Sequence, residues 1–200
     1  MELLIVLVFI AILIYFNPDI WERFVRNSQL LKEQRQQAAV LNKFVTEMEK
    51  TSEDSQDLEW IATLKAISGN HREAIADFTR AIERNPTDAT LYFNRGQARY
   101  SIDDRRGAYE DYEKAIALAP DYASAYISLG RILLELGDYN ESIAQCNYAL
   151  SLQETNTIGY TVRGKSYAKL GDRTRALADF NRAIEYSPDN IEAQRCKARL

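Results

Sequence analysis

The sequence predicts an all-α protein: a right-handed α-solenoid of four helix pairs and a short capping helix, preceded by an apolar N-terminal helix and an amphipathic linker helix. The main observation is a repeat with a period of 34 residues. The recurring positions are Tyr92, Tyr126 and Tyr160; Gly96, Gly130 and Gly164; Ala81, Ala115, Ala149 and Ala183; and Pro86, Pro120 and Pro188. A fixed period of this length is typical of solenoids. The second observation is an apolar run from Leu3 to Phe16.

Residues 1–17 are predicted to be a transmembrane anchor, because twelve of the fourteen residues from Leu3 to Phe16 are Leu, Ile, Val or Phe. A helix of that length spans about 21 Å, whereas a bilayer core is about 30 Å thick. Local thinning and flanking aromatic residues narrow this gap. A cleaved signal peptide is the main alternative, although the basic n-region and small-residue cleavage site are lacking. A buried or interfacial segment is the other alternative.

Basic residues indicate the orientation of this anchor. Arg23 and Arg26 follow the apolar run, and no Lys or Arg precedes it. The positive-inside rule then places the C-terminal part on the cytoplasmic side, or in a stroma-like compartment. We therefore expect a single-pass membrane protein whose repeats face that compartment.

Residues 18–54 are predicted to form an amphipathic juxtamembrane helix and a linker. Asn17 suits the N-cap of this helix and Pro18 suits its first position. The apolar stripe consists of Ile20, Trp21, Phe24, Leu31, Ala38, Leu41, Val45 and Met48. Such a stripe indicates either an interfacial or self-associating helix, or a helix that packs on the first repeat. Both interpretations stay open.

Residues 55–200 are predicted to be the repeat domain. Its repeats are 55–88, 89–122, 123–156 and 157–190, followed by a cap at 191–200. Glycines inside the first helices cost about 1 kcal/mol each relative to alanine, which predicts a close approach of two helices there. Glycines between the helices of a pair suit a turn with positive φ. The third repeat has Cys146 and Glu154 at its aromatic and proline positions, so we expect it to be the least tightly packed.

The repeat closely resembles the tetratricopeptide repeat. That family has an aromatic residue, Leu-Gly and Tyr along the first helix, then Ala, an aromatic residue, Ala and Pro along the second. The best matches are YISLGRIL from Tyr126 and YTVRGKSY from Tyr160, and the resemblance covers about residues 55–190. It implies a protein-binding scaffold, since the family serves in membrane protein import, chaperone docking and complex assembly.

The resemblance also implies which residues face the concave side. The predicted partner-binding residues are Phe93, Asn94, Gln97, Tyr100, Ile127, Arg131, Leu134, Lys165 and Lys169. This surface is apolar and aromatic at its centre and basic at its C-terminal end. The predicted partner is a protein or peptide segment with apolar anchors and acidic residues. Of the residues with which some family members grip a chaperone C-terminus, only Asn94 is matched, so we expect no binding of a peptide ending in EEVD.

Neither composition nor motifs predict an enzyme. Residues 159–166, GYTVRGKS, fit the phosphate-loop expression, but that chemistry needs a preceding strand, and here a helix is predicted. His71 is the sole histidine and has no second His or Cys near it in the sequence to share a metal. The formal charge of −4 does not indicate nucleic-acid binding. We expect no catalytic, cofactor-binding or metal-binding residues and no small-molecule substrate.

The predicted function is therefore a membrane-tethered scaffold or adaptor, used in the assembly or targeting of a membrane complex. The alternative is a structural, self-associating membrane protein that uses residues 18–50 as a coiled coil. A third class, an enzyme subunit that contributes no chemistry of its own, also fits the sequence.

The anchor can be tested by extraction. We expect the intact protein to resist carbonate, and deletion of residues 1–17 to release a folded, soluble, helical protein because the apolar run is then gone. Membrane fractionation and circular dichroism measure the two outcomes. A truncated protein that remains integral to membranes, or a mature protein with a cleaved N-terminus, would contradict the anchor.

Overall fold

A computed structural model describes residue 43 and residues 55–200 of the chain. The predicted anchor and nearly all of the predicted juxtamembrane segment lie outside the described residues. Between residues 55 and 200 the chain forms helices joined by short turns, and no strand occurs there. In this part of the chain, every helix is too short or too polar to span a bilayer.

Nine helices lie within residues 55–200. They are α1 (Ser55–Ile67), α2 (His71–Arg84), α3 (Ala89–Ser101), α4 (Arg105–Leu118), α5 (Ala123–Leu136), α6 (Tyr139–Leu152), α7 (Thr157–Lys169), α8 (Arg173–Tyr186) and α9 (Ile191–Ala198). The predicted all-α class of paired helices is confirmed. Each pair consists of an odd-numbered first helix and an even-numbered second helix, and α9 follows the fourth pair.

The described helices belong to two compact units. The first comprises residues 55–87 and 97–103, and the second comprises residues 88–96 and 104–200. In the first unit α1 packs against α2. Lys65 on α1 places its Nζ 2.6 Å from Oδ2 of the buried Asp77 on α2, which joins the two helices by an ion pair.

In the second unit each helix from α4 to α9 packs against the next one along the chain. Helix α7 also contacts α5 and α9, so the first helices of successive pairs lie side by side. Contacts between neighbours in the sequence are the structural basis of a repeat stack, because each pair buries its apolar face on the next. One core cluster consists of Ile127, Cys146, Ala149 and Val162.

Glycines mark the closest contacts within the helix pairs of this unit. A Cβ atom on Gly96 would lie 2.7 Å from Cε1 of Tyr112, and one on Gly164 would lie 2.8 Å from Cε1 of Phe180. Both rings are buried, so neither has room to retreat. The predicted close approach is confirmed. At Gly130 the nearest side-chain atom would be Sγ of Cys146 at 3.0 Å, which is also a close contact because sulfur is larger than carbon.

The turns inside the pairs also match the prediction. Gly69, Gly137 and Gly171 have φ values of 84°, 93° and 82°. Asp103 occupies the same left-handed region in the second repeat, with φ at 69°. Asp is one of the few non-glycine residues that tolerate this conformation. Its neighbour Asp104 then caps α4 by accepting a hydrogen bond from the Gly107 amide at 2.9 Å.

The glycine contact can be tested with Gly164→Ala. Alanine gains about 1 kcal/mol of helix propensity, but overpacking against Phe180 costs about 1–3 kcal/mol, so we expect a lower free energy of unfolding. Urea denaturation followed by circular dichroism measures the change. The double variant Gly164→Ala with Phe180→Leu should recover part of the loss because the rigid ring is gone. A Gly164→Ala protein that is more stable than wild type would contradict the steric explanation.

Candidate protein-binding surface

Buried ion pairs join the first and second helix in two pairs of the second unit. Arg95 on α3 donates from Nε to Oδ2 of Asp111 at 3.0 Å and from Nη2 to Oδ1 at 2.7 Å. Arg163 on α7 makes the same two-bond contact with Asp179 on α8, at 2.8 Å and 2.7 Å. Both aspartates are buried. A bidentate contact has a fixed geometry, so it holds each first helix in one rotation about its axis.

Sequence reasoning missed these pairs, although the signal was present. Asp77, Asp111 and Asp179 follow the 34-residue register, and Arg95 and Arg163 are two periods apart. The third repeat has Leu129 and Gln145 at the corresponding positions. Because both partners are replaced, no buried charge is left without a counter-ion. A single replacement would leave such a charge and would lower the free energy of unfolding strongly.

Arg163 links three helices of the second unit. Besides Asp179, it donates from Nη1 to Oδ1 of Asn147 on α6 at 2.7 Å. Its guanidinium carbon lies 5.4 Å from the centroid of the Tyr160 ring, within the range of a cation–π contact. The hydrogen bond to Asp179 raises the pKa of Arg163, and burial opposes this rise. The arginine is therefore a fixed positive charge of the helix stack.

The structure places the predicted residues of α5 differently from one another. Ile127 is only 5% exposed and belongs to the core cluster with Cys146, Ala149 and Val162. Because it is enclosed by α6 and α7, it is a core residue, and its prediction as a partner contact is corrected. Arg131 and Leu134 are partly exposed, and Leu134 rests against the same cluster. Of the three predicted residues of α5, these two are the ones that reach the surface.

The predicted residues of α7 lie beside the cap. Lys165 is partly exposed, and its Nζ pairs with Oε1 of Glu192 on α9. Lys169 at the end of α7 is exposed. Thr161, one turn before Lys165, is buried, and its hydroxyl accepts a hydrogen bond from Nδ2 of Asn190 at 3.3 Å. Helix α9 therefore supplies a carboxylate directly to the basic end of the predicted surface.

The remaining predicted residues lie on α3. Phe93, in the second unit, has its ring centroid 5.8 Å from that of Tyr112 and 4.9 Å from that of Tyr122. It is thus partly used for packing and only partly exposed. Asn94 in the same unit is also partly exposed, as are Gln97 and Tyr100, which belong to the first unit.

The residues that suggested other chemistry have structural roles. GYTVRGKS lies within α7, as predicted, so its backbone amides belong to a helix instead of a phosphate-binding loop. Burial raises the pKa of the Cys146 thiol to about 12, so the thiol is protonated at neutral pH and is a poor nucleophile. Within residues 43 and 55–200, no group of three His, Cys, Asp or Glu residues is arranged to hold a metal ion.

Family models identify the repeat. Four of them, each described as a tetratricopeptide repeat, match residues 62–104, 89–122, 111–144 and 158–190. Together they cover more than half of the chain. The chain belongs to the tetratricopeptide repeat family. The matched models describe repeats of a protein-interaction scaffold, and none of them describes a catalytic domain. A search of curated protein sequences gave no match.

Solved structures show the same fold. A crystal structure of the MamA protein has a TM-score of 0.68 at 22% identity, with 78% of this chain and 87% of that chain aligned. The tetratricopeptide domain of Arabidopsis OM64 has a TM-score of 0.54 at 26% identity, over 56% of this chain and 92% of that chain. The first such domain of Spaghetti (RPAP3), bound to the HSP90 peptide SRMEEVD, has a TM-score of 0.54 at 21% identity, over 56% and 89%.

The buried ion pair can be tested by transplanting the neutral pair of the third repeat. We expect Asp179→Asn to lower the free energy of unfolding by about 3 kcal/mol, because Arg163 then lacks its counter-ion. The double variant Arg163→Leu with Asp179→Gln should lose less, although it also removes the contacts with Asn147 and Tyr160. Urea denaturation of both variants measures the difference. A double variant less stable than Asp179→Asn would contradict this account.

Proposed function

We propose that this chain is a membrane-tethered scaffold that binds an acidic, partly apolar segment of a partner protein on the first helices of its second unit. The segment lies across α5 and α7, which pack side by side. Arg131, Lys165 and Lys169 face its acidic residues, and Leu134 with the exposed part of Phe93 contacts its apolar residues. Aromatic and arginine residues are the types that most often dominate binding energy at interfaces.

The observation that carries this proposal is the contact between Lys165 and Glu192. A carboxylate from outside the repeats already occupies the basic end of this surface, which indicates the chemistry that the surface accepts. The Lys165 and Glu192 side chains are 33% and 62% exposed, so solvent screens the pair strongly. Exposed pairs of this kind contribute about 0–1 kcal/mol, so a partner carboxylate can displace Glu192 at little cost.

The partner segment need not end in a carboxylate. The Spaghetti (RPAP3) domain is bound to SRMEEVD, a peptide with acidic residues at its C-terminus. Of the positions that grip such a C-terminus in some family members, this chain matches only Asn94. We therefore propose that an internal acidic segment is bound, and that its side-chain carboxylates make the contacts.

We further propose that residues 1–17 tether the scaffold to a membrane, with the repeats on the cytoplasmic or stroma-like side. The apolar run and the arginines at 23 and 26 support this arrangement. A tether confines the binding surface to one membrane face and raises its effective concentration towards partners in the same membrane. This favours a role in the assembly or targeting of a membrane complex.

Charge variants test the binding surface. The probe is a fluorescein-labelled peptide of leucine and glutamate residues, and its anisotropy is measured with the full chain in detergent micelles. Lys165→Glu should weaken binding by about tenfold, because it turns an attraction into a repulsion. Glu192→Gln should strengthen binding by about threefold, since the competing carboxylate is removed.

Matched controls lie on α8. Arg182 and Glu185 form an exposed pair there, with Nη1 of Arg182 2.9 Å from Oε2 of Glu185. Arg182→Glu and Glu185→Gln make the same charge changes on a second helix and should leave the affinity unchanged. If Lys165→Glu and Arg182→Glu weaken binding equally, the effect reflects net charge, and the proposed surface is wrong.

A further inference from the structure

A second surface of the same unit has a different chemistry. A cavity of about 660 Å³ lies between α4 and α5. Its apolar lining consists of Ile132, Leu133 and Leu136 of α5 and Tyr109 of α4. Leu136 is 63% exposed, which is the largest value for any large hydrophobic side chain among the described residues. We call this cavity the α4–α5 pocket.

The polar rim of the α4–α5 pocket carries excess negative charge. Its two arginines already have carboxylate partners: Nε of Arg105 lies 2.7 Å from Oε2 of Glu135, and Nε of Arg106 lies 3.1 Å from Oε1 of Glu110. The remaining charged groups of the lining are two exposed carboxylates, Glu113 and Asp138.

These two carboxylates act on Tyr109, on the pocket wall. Burial raises the pKa of Tyr109, and so do its hydrogen bond to Glu113 and the charges of Glu113 and Asp138. Both carboxylates line the pocket together with Tyr109 and Leu136, so negative charge and aliphatic surface share one pocket. A cation placed there meets negative charge and a phenol ring together.

The next repeat has only part of this combination. Leu170 is the counterpart of Leu136 and is also exposed, at 47%. The counterparts of Tyr109, Glu110 and Glu113 are Ile143, Ala144 and Asn147. The exposed leucine thus occurs in both repeats. The two glutamates occur on α4 and are absent at the corresponding positions of α6.

We propose that the α4–α5 pocket binds a partner-protein segment in which an arginine lies between aliphatic residues. The aliphatic side chains cover Leu136, and the guanidinium group reaches Glu113 and Asp138. Arginine fits better than lysine, because its planar fork can bind two carboxylates and can stack on the ring of Tyr109. This contact is separate from the acidic-segment surface of α5 and α7 and does not depend on it.

Two matched peptides test this proposal on the full chain in detergent micelles. Both are fluorescein-labelled and carry Leu-X-Leu between glycine–serine flanks, with arginine or its neutral analogue citrulline as X. Fluorescence anisotropy should show about tenfold tighter binding of the arginine peptide, since only that peptide forms charge-assisted hydrogen bonds. The difference should shrink at high salt.

Variants locate the contact. Glu113→Gln with Asp138→Asn should abolish the preference for arginine over citrulline. Asp138 is the N-cap residue of α6 and makes no side-chain capping bond, and asparagine is an equally good N-cap. Leu136→Ser should weaken binding of both peptides, whereas Leu170→Ser, the matched control in the next repeat, should change neither.

Several outcomes would overturn the proposal. They are equal affinities of the two peptides for the wild-type chain, no measurable binding of the arginine peptide, and equal effects of Leu136→Ser and Leu170→Ser. Self-association that Leu136→Ser abolishes, without peptide binding, would instead assign the pocket to a second copy of the chain. The comparison of the arginine and citrulline peptides uses the wild-type chain, so it tests the proposal even if a substitution impairs folding. Circular dichroism measures the folding of each variant.

Discussion

The close approach of a first helix to its second helix is the contact on which the second unit depends. Where Gly96 faces Tyr112 and Gly164 faces Phe180, the ring occupies the space that a Cβ atom would need. The missing side chain thus sets the distance between the helices, and the buried Arg–Asp pairs set their rotation. In the fourth repeat, this distance and this rotation together decide which residues of α7 remain at the surface.

The 34-residue period predicted the features that form within a single repeat. Helix pairs, glycine contacts and turn glycines need fixed residue types at fixed spacing, so they were visible in the sequence. The burial of Ile127 was not, because Val162 of the next repeat completes the cluster that Cys146 and Ala149 begin within its own repeat. The contact of Lys165 with Glu192 was also hidden, since Glu192 lies in the cap, beyond the four repeats.

The third repeat reaches the same fold with neutral groups. Leu129 and Gln145 stand where the neighbouring repeats have a buried ion pair. In addition, Oγ of Ser142 donates to the carbonyl oxygen of Gly130 at 2.7 Å and lies 2.8 Å from Oγ of Ser166 on α7. Both hydroxyls are fully buried and hydrogen-bonded, so they connect adjacent repeats without the desolvation cost of a charge.

Helix α9 makes the basic end of the stack sensitive to local unfolding. An eight-residue helix is too short to be stable in isolation, so α9 depends on its contacts with α8 and α7. Short helices that bury little surface open at a free energy below that of global unfolding. Each opening of α9 withdraws Glu192 and leaves Lys165 without that carboxylate. A ligand therefore meets Lys165 with Glu192 in place in some molecules and withdrawn in others. Substitutions that change only the helix propensity of α9 change this ratio, and so alter binding without touching the binding surface.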